Sequence, residues 1–158
     1  MASVKPTPLY FFDTSVLLGG LIELAGPQAP AQSLCDAVAE GRLARPGTAW
    51  HCCLEFYSVS TRLPEEYRLT PDQARQLVEE ILARFRVHEL PAKTRRHFVR
   101  TTAADGIAGG RLYDAHIAEV ARASGAHIVV TENARHFSPL LRHGMSVLTA
   151  AEALTGLR

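Results

Sequence analysis

The chain has 158 residues, 47% hydrophobic and 21% charged, with Lys+Arg 17 against Asp+Glu 16 and a formal net charge of +1. That length suits one globular domain, residues 1–158, and the ordinary apolar content with near-zero net charge excludes a disordered chain. The longest apolar stretch near the N-terminus, Val16 to Ile22, is about a third of a bilayer crossing and holds two glycines, so no membrane span is expected. Asp13 interrupts the apolar region and only Lys5 precedes it, which fits a signal peptide badly. A soluble, cytoplasmic protein is the expectation.

Of the 17 basic residues all but Lys5 and Lys93 are Arg. Arginine suits bidentate phosphate contact, but a GC-rich genome also replaces Lys by Arg without functional meaning. Cys52 and Cys53 are adjacent and Cys35 is isolated, so no zinc-ligand spacing exists; buried small hydrophobes in a reducing compartment explain them.

In chain order, Leu9 to Phe12 reads as a buried strand ending at Asp13. An apolar segment running to Leu24 predicts a helix loosened by Gly19 and Gly20, and Pro30 to Glu40 predicts a second, closed by Gly41. Arg42 to Gly47 is a short strand or loop, and Thr48 to Arg62 a helix ending before Pro64. Thr70-Pro71-Asp72-Gln73 supplies an N-cap, a first-turn proline and a capping-box Gln, followed by the stripe Ala74, Leu77, Val78, Ile81, Leu82 and Phe85. Val87 to Leu90 reads as a strand and Thr94 to Ala104 as a helix. A glycine loop then leads into a helix over Arg111 to Ser124. His127 to Thr131 is a parallel-strand candidate, Ser146 to Leu148 a last short strand, and Thr149-x-x-Glu152 caps a terminal helix. Helices alternating with short apolar strands predict an α/β sandwich around a mainly parallel sheet.

Ligands in such folds bind beyond the carboxyl ends of the strands. Asp13 falls there directly, as do Glu132 and Asn133 after Thr131; Asp13 also suits an N-cap, and the other two suit a loop. Asp114 has Ile117, Ala118 and Ala121 at i+3, i+4 and i+7, so it shares the apolar face of its helix, with no Lys or Arg in that stripe within one or two turns on the C-terminal side. A carboxylate there needs a cation, a metal or several donors. Glu55 repeats the pattern between Cys52 and Val59, where an arginine ion pair is the other explanation. Three carboxylates in apolar settings suit Mg²⁺ or Mn²⁺ better than zinc.

Four segments together carry a resemblance. They are Phe11-Phe12-Asp13-Thr14-Ser15-Val16-Leu17, Leu54-Glu55, Gly110 to Ala118 around Asp114, and Val130-Thr131-Glu132-Asn133-Ala134-Arg135-His136-Phe137. In order and spacing the chain resembles the PIN-domain proteins, and among them the VapC ribonuclease toxins of bacterial toxin–antitoxin pairs. The resemblance implies a PIN-like three-layer sandwich and a metal-dependent endoribonuclease leaving 5′-phosphate and 3′-hydroxyl ends. It also implies Mg²⁺ or Mn²⁺ held by Asp13, Glu55 and Asp114. The fourth acid of the family falls on Asn133, with Glu132 beside it as a substitute, and Thr14, Ser15 and Thr131 are the supporting hydroxyls. An RNA substrate, a cognate antitoxin and a homodimer are further implications. Arg95, Arg96, Arg100, Arg111 and Arg135 are the RNA-binding candidates, with a solvated helix face as their other reading.

Three rivals remain for weighing. A haloacid-dehalogenase-like phosphatase needs a second Asp where Ser15 stands, and a receiver domain needs a late-strand Lys that the chain lacks. A PIN fold that binds RNA or protein without cleaving it is the third, and Asn133 keeps it open.

Overall fold

The computed structural model describes residues 7–24, 26 and 28–157. Five strands, β1 (Tyr10–Phe12), β2 (Pro46–Ala49), β3 (Arg86–His88), β4 (Ile128–Val130) and β5 (Ser146–Leu148), form one sheet in the order β3-β2-β1-β4-β5, with every pairing parallel. Eight α-helices flank it: α1 (Thr14–Leu21), α2 (Ala29–Ala39), α3 (Trp50–Ser60), α4 (Pro71–Arg84), α5 (Arg95–Ala104), α6 (Arg111–Ala123), α7 (Ala134–Phe137) and α8 (Ala150–Thr155). This is the expected α/β architecture, and the sheet is parallel throughout the described residues. No helix among them is long and apolar enough to cross a membrane.

Parallel strands need crossover helices, and helices on both sides bury both faces of the sheet. The central strand shows it, since Tyr10, Phe11 and Phe12 are all buried. Phe12 meets Phe85 edge-on with ring centroids 5.1 Å apart. The chain leaves β1 towards β2 on one side, while β4 joins the other. The connections therefore diverge between β1 and β4, which opens a crevice at their carboxyl ends.

Local chemistry explains most element ends. Both expected capping boxes form: Thr70 accepts from the Gln73 amide at 3.2 Å, and Thr149 from the Glu152 amide at 3.3 Å. Two expectations need correction, and one segment carried none. The segment Thr48 to Arg62 is not helical from its start, because Thr48 and Ala49 belong to β2 and the helix begins at Trp50. The strand expected over Val87 to Leu90 sits one residue earlier and stops at His88. Residues 134–143 fold as α7 and a 3-10 turn that no sequence pattern announced.

Gly19 and Gly20 do not loosen α1; they let it pack tightly on α2. A Cβ on Gly20 would lie 2.9 Å from the Ala31 carbonyl oxygen and collide with the Cys35 sulfur. Helix propensity alone makes Gly→Ala favourable by about 1 kcal/mol. Here overpacking dominates, so Gly20→Ala should lower stability by about 1–3 kcal/mol, read as a lower urea midpoint at unchanged slope.

Candidate metal and nucleic-acid site

Asp13 ends β1 and occupies the N-cap position of α1, yet its side chain makes no capping bond. Only 4% of the residue is exposed. Its Oδ2 accepts from the Ser15 hydroxyl at 2.9 Å and from the Thr131 hydroxyl at 2.8 Å. Those hydroxyls are themselves held: the Glu132 amide donates to Ser15 Oγ at 3.1 Å, and the Asn133 amide to Thr131 Oγ1 at 3.0 Å. The Asp13 amide donates to the Val130 carbonyl at 3.0 Å, fixing the carboxylate in the crevice between β1 and β4. Thr48, on the other neighbouring strand, donates to the Phe12 carbonyl at 2.8 Å.

Burial pushes the Asp13 carboxyl above its ordinary value; the Thr131 and Ser15 hydroxyls and the Thr14 amide pull it back, and the charge of Glu55 raises it further. Cys52, fully buried, is pushed up to about 12 by burial and by the charge of Asp13, so it stays a thiol. Thr14 does not brace the carboxylate through its hydroxyl, which is buried without a hydrogen-bond partner.

Glu55 and Asp114 are less buried than their apolar neighbours suggested, with side chains 35% and 34% exposed. Each faces an imidazole. His51 Nε2 lies 3.8 Å from Glu55, and His136 Nδ1 lies 2.9 Å from Asp114. The partner of Asp114 is thus neither Lys nor Arg from its own helix but an imidazole, which α7 supplies from outside the stripe. Glu132 turns away, its carboxylate accepting from the Ala150 amide at 3.0 Å. Asn133 is exposed at the start of α7 and makes no side-chain cap bond.

Among the described residues, no three His, Cys, Asp or Glu side chains are gathered closely enough to hold a metal ion. The donor chemistry nonetheless fits a hard divalent cation. Asp13 is a buried carboxylate with neutral donors only, Glu55 is near enough to repel its charge, and among the described residues neither pairs with Lys or Arg. A buried carboxylate of this kind is costly without a cation.

Beside Asp114 opens a cleft of about 790 Å³ between α5, α6 and residues 134–143. Arg111 and Arg135 line it, together with His97, Arg142 and His143. Arg111, Arg135 and Arg142 form no ion pair among the described residues, whereas Arg122 in the same cleft is paired with Glu119. Arg95 lines a smaller pocket with His51 and His116; Arg96 and Arg100 are exposed on α5 and line neither. Arg142 and His143 carried no sequence signal, because their place depends on the turn after α7.

Residues 10–135 match the family model described as PIN domain. The chain belongs to the PIN-domain family. Ribonuclease VapC27 of Mycobacterium tuberculosis is 38% identical over 102 residues, spanning 64% of this chain and 72% of that protein. The crystal structure of PAE2754 from Pyrobaculum aerophilum superposes with a TM-score of 0.62 at 21% identity, covering 96% of this chain and 90% of that one. VapBC2 from Rickettsia felis, solved bound to a DNA fragment from its promoter, gives 0.59 at 16% identity over 89% and 98% of the two chains. Both likenesses are of fold: the five-stranded parallel sheet of this PIN domain is shared with them.

The pKa direction at Asp13 gives a sign for pH. In EDTA the folded PIN domain holds the Asp13 proton to a higher pH than the unfolded chain does. The group's contribution to stability is therefore present at low pH and is lost as pH rises from the ordinary carboxylate value through the raised one. Asp13→Asn should abolish that loss and leave the metal-free variant the more stable at pH 7, on the order of 1 kcal/mol. The difference between the two urea-stability curves against pH reads it; a difference that does not change with pH would mean the carboxylate carries no such strain.

Proposed function

We propose that this single PIN domain is a divalent-metal-dependent endoribonuclease of the VapC kind, the toxin of a toxin–antitoxin pair working in the cytoplasm. The observation that carries the reading is the buried Asp13 carboxylate, held by neutral donors in the β1–β4 crevice. The 38% identity to a ribonuclease supports it.

Asp13, Glu55 and Asp114 would hold Mg²⁺ or Mn²⁺, which when bound supplies Lewis acidity towards the phosphodiester and lowers the pKa of a water. The rest falls to the chain's own residues. Ser15 and Thr131 fix the orientation of Asp13, as outer hydrogen bonds do for ligating carboxylates. Arg111 and Arg135, unpaired at the cleft wall, bind phosphates of the RNA strand, and Arg95, Arg96 and Arg100 extend that positive surface along α5. Asn133 brings no charge, but its amide holds Thr131 in place. The products are 5′-phosphate and 3′-hydroxyl ends.

The second reading, an RNA- or protein-binding module without cleavage, is favoured by one contact. His136 at 2.9 Å occupies Asp114 in place of other partners. Purified protein with single-stranded or looped RNA separates the two. Cleavage in Mn²⁺ or Mg²⁺, absent in EDTA and in Asp114→Asn, is the expected outcome. Ser15→Ala and Thr131→Val should each reduce the rate by about 10–100-fold. Cleavage undiminished by EDTA defeats the metal reading, and a folded protein silent with every metal supports the binding module.

The fold neighbours named for VapBC assemblies support a partner. The protein should therefore copurify with a small antitoxin when both are expressed from the native operon, and should dimerise when isolated. Light scattering that finds a monomer at high micromolar concentration counts against the homodimer.

A further inference from the structure

Next to the acids, four rings form a ladder that neither the carboxylates nor the basic cleft requires. Tyr113, in the first turn of α6, stacks on His51 of α3 with centroids 5.3 Å apart and planes 25° from parallel. His51 meets His116 edge-on at 5.2 Å, and His116 meets Phe98 of α5 at 5.6 Å. The inner rungs are partly buried. Burial, then His51 and Arg95, hold the His116 imidazole below its ordinary pKa. The outer rung is open: Tyr113 is 53% exposed although His51 backs its ring.

Tyr113 directly precedes Asp114, and its backing ring lies 3.8 Å from Glu55. An aromatic side chain already ordered by a stacked neighbour loses little further freedom when a planar ligand covers it. Glu55 lies beside the backing ring, and Arg111 and Asp114 share the first turn of α6 with the tyrosine, which suits a planar group joined to phosphates better than an apolar peptide side chain. We propose that Tyr113, held by His51, is a stacking platform for an unpaired nucleobase of the strand that passes Asp114.

This rests on the ribonuclease reading and adds to it a preference for unpaired RNA, since only a base out of a helix offers its face. His51 acts here as a positioning residue for the tyrosine ring. A probe of the right kind is a short single-stranded RNA carrying one 2-aminopurine, titrated in EDTA, beside an abasic oligonucleotide of equal charge.

Wild type should quench the 2-aminopurine and bind the RNA about tenfold more tightly than the abasic strand. Tyr113→Ala should lose the quenching and most of that preference, with a melting temperature near wild type. Tyr113→Phe should keep both. In Mn²⁺, Tyr113→Ala should raise KM more than it lowers kcat.

Unchanged affinity and quenching in Tyr113→Ala overturns the platform, including the case in which that variant instead loses a copurifying protein. If wild type still cleaves RNA in Mn²⁺, the nuclease reading survives that result. Base-dependent binding lost in Tyr113→Ala, in a protein that never cleaves, keeps the platform and removes the nuclease.

Discussion

A carboxylate buried at the end of the central strand constrains the rest of this structure. β1 is paired on both sides, so Asp13 cannot swing out of the sheet edge without breaking its amide's bond to Val130. Once fixed there, the charge needs donors, and the chain supplies them from two directions. Ser15 comes from the first turn of α1, and Thr131 from the end of β4, 118 residues away. Each hydroxyl then takes an amide from the loop after β4. The loop's shape is thus partly a consequence of the buried acid, because unpaired donors near it would carry their own desolvation cost.

The three acids are not equivalent. Asp13 is locked, with its partners chosen by the sheet. Glu55 and Asp114 stand on separate helices, about one-third exposed, each beside an imidazole rather than a guanidinium. An arginine would hold such a carboxylate in a bidentate, permanently charged clamp. A histidine holds it through a single ring N–H rather than a two-pronged clamp, and so releases it more readily. One rigid acid and two less confined ones is the arrangement the proposed cation would meet, and no three donors converge among the described residues.

Much of this was legible in the sequence, and the failures have physical causes. The strand before Asp13 could be read because a strand buried on both faces is a continuous apolar run. The capping boxes could be read because their bonds are local. β2 was harder: Pro46-Gly47-Thr48-Ala49 has little strand propensity, and tertiary pairing to β1 and β3 decides it. Gly47 fits closely there, since a Cβ would sit 3.2 Å from His88 Nε2 and that ring would have to give by a few tenths of an ångström. Asp13, Glu55 and Asp114 could be singled out as acids in apolar settings, but spacing along a helix says nothing of what a distant element brings. His136 reaches Asp114 from a four-residue helix with no periodic signal, and the stacking of Tyr113 on His51 joins two helices.

The distribution of opposite charges carries the last step. Where this chain places Arg and an acid at helical spacing with nothing to keep them apart, they pair, as Arg75 does with Asp72 and Glu79 and Arg122 does with Glu119. Around the crevice the pattern is different. Arg111 stands three residues before Asp114 on the same helix, a spacing that permits contact, yet the carboxylate faces His136 and the guanidinium forms no ion pair among the described residues. Direct pairing would neutralise both groups. Keeping them apart maintains a negative point beside a positive wall, and the proposed ligands, a phosphodiester together with a divalent cation, would satisfy both at once.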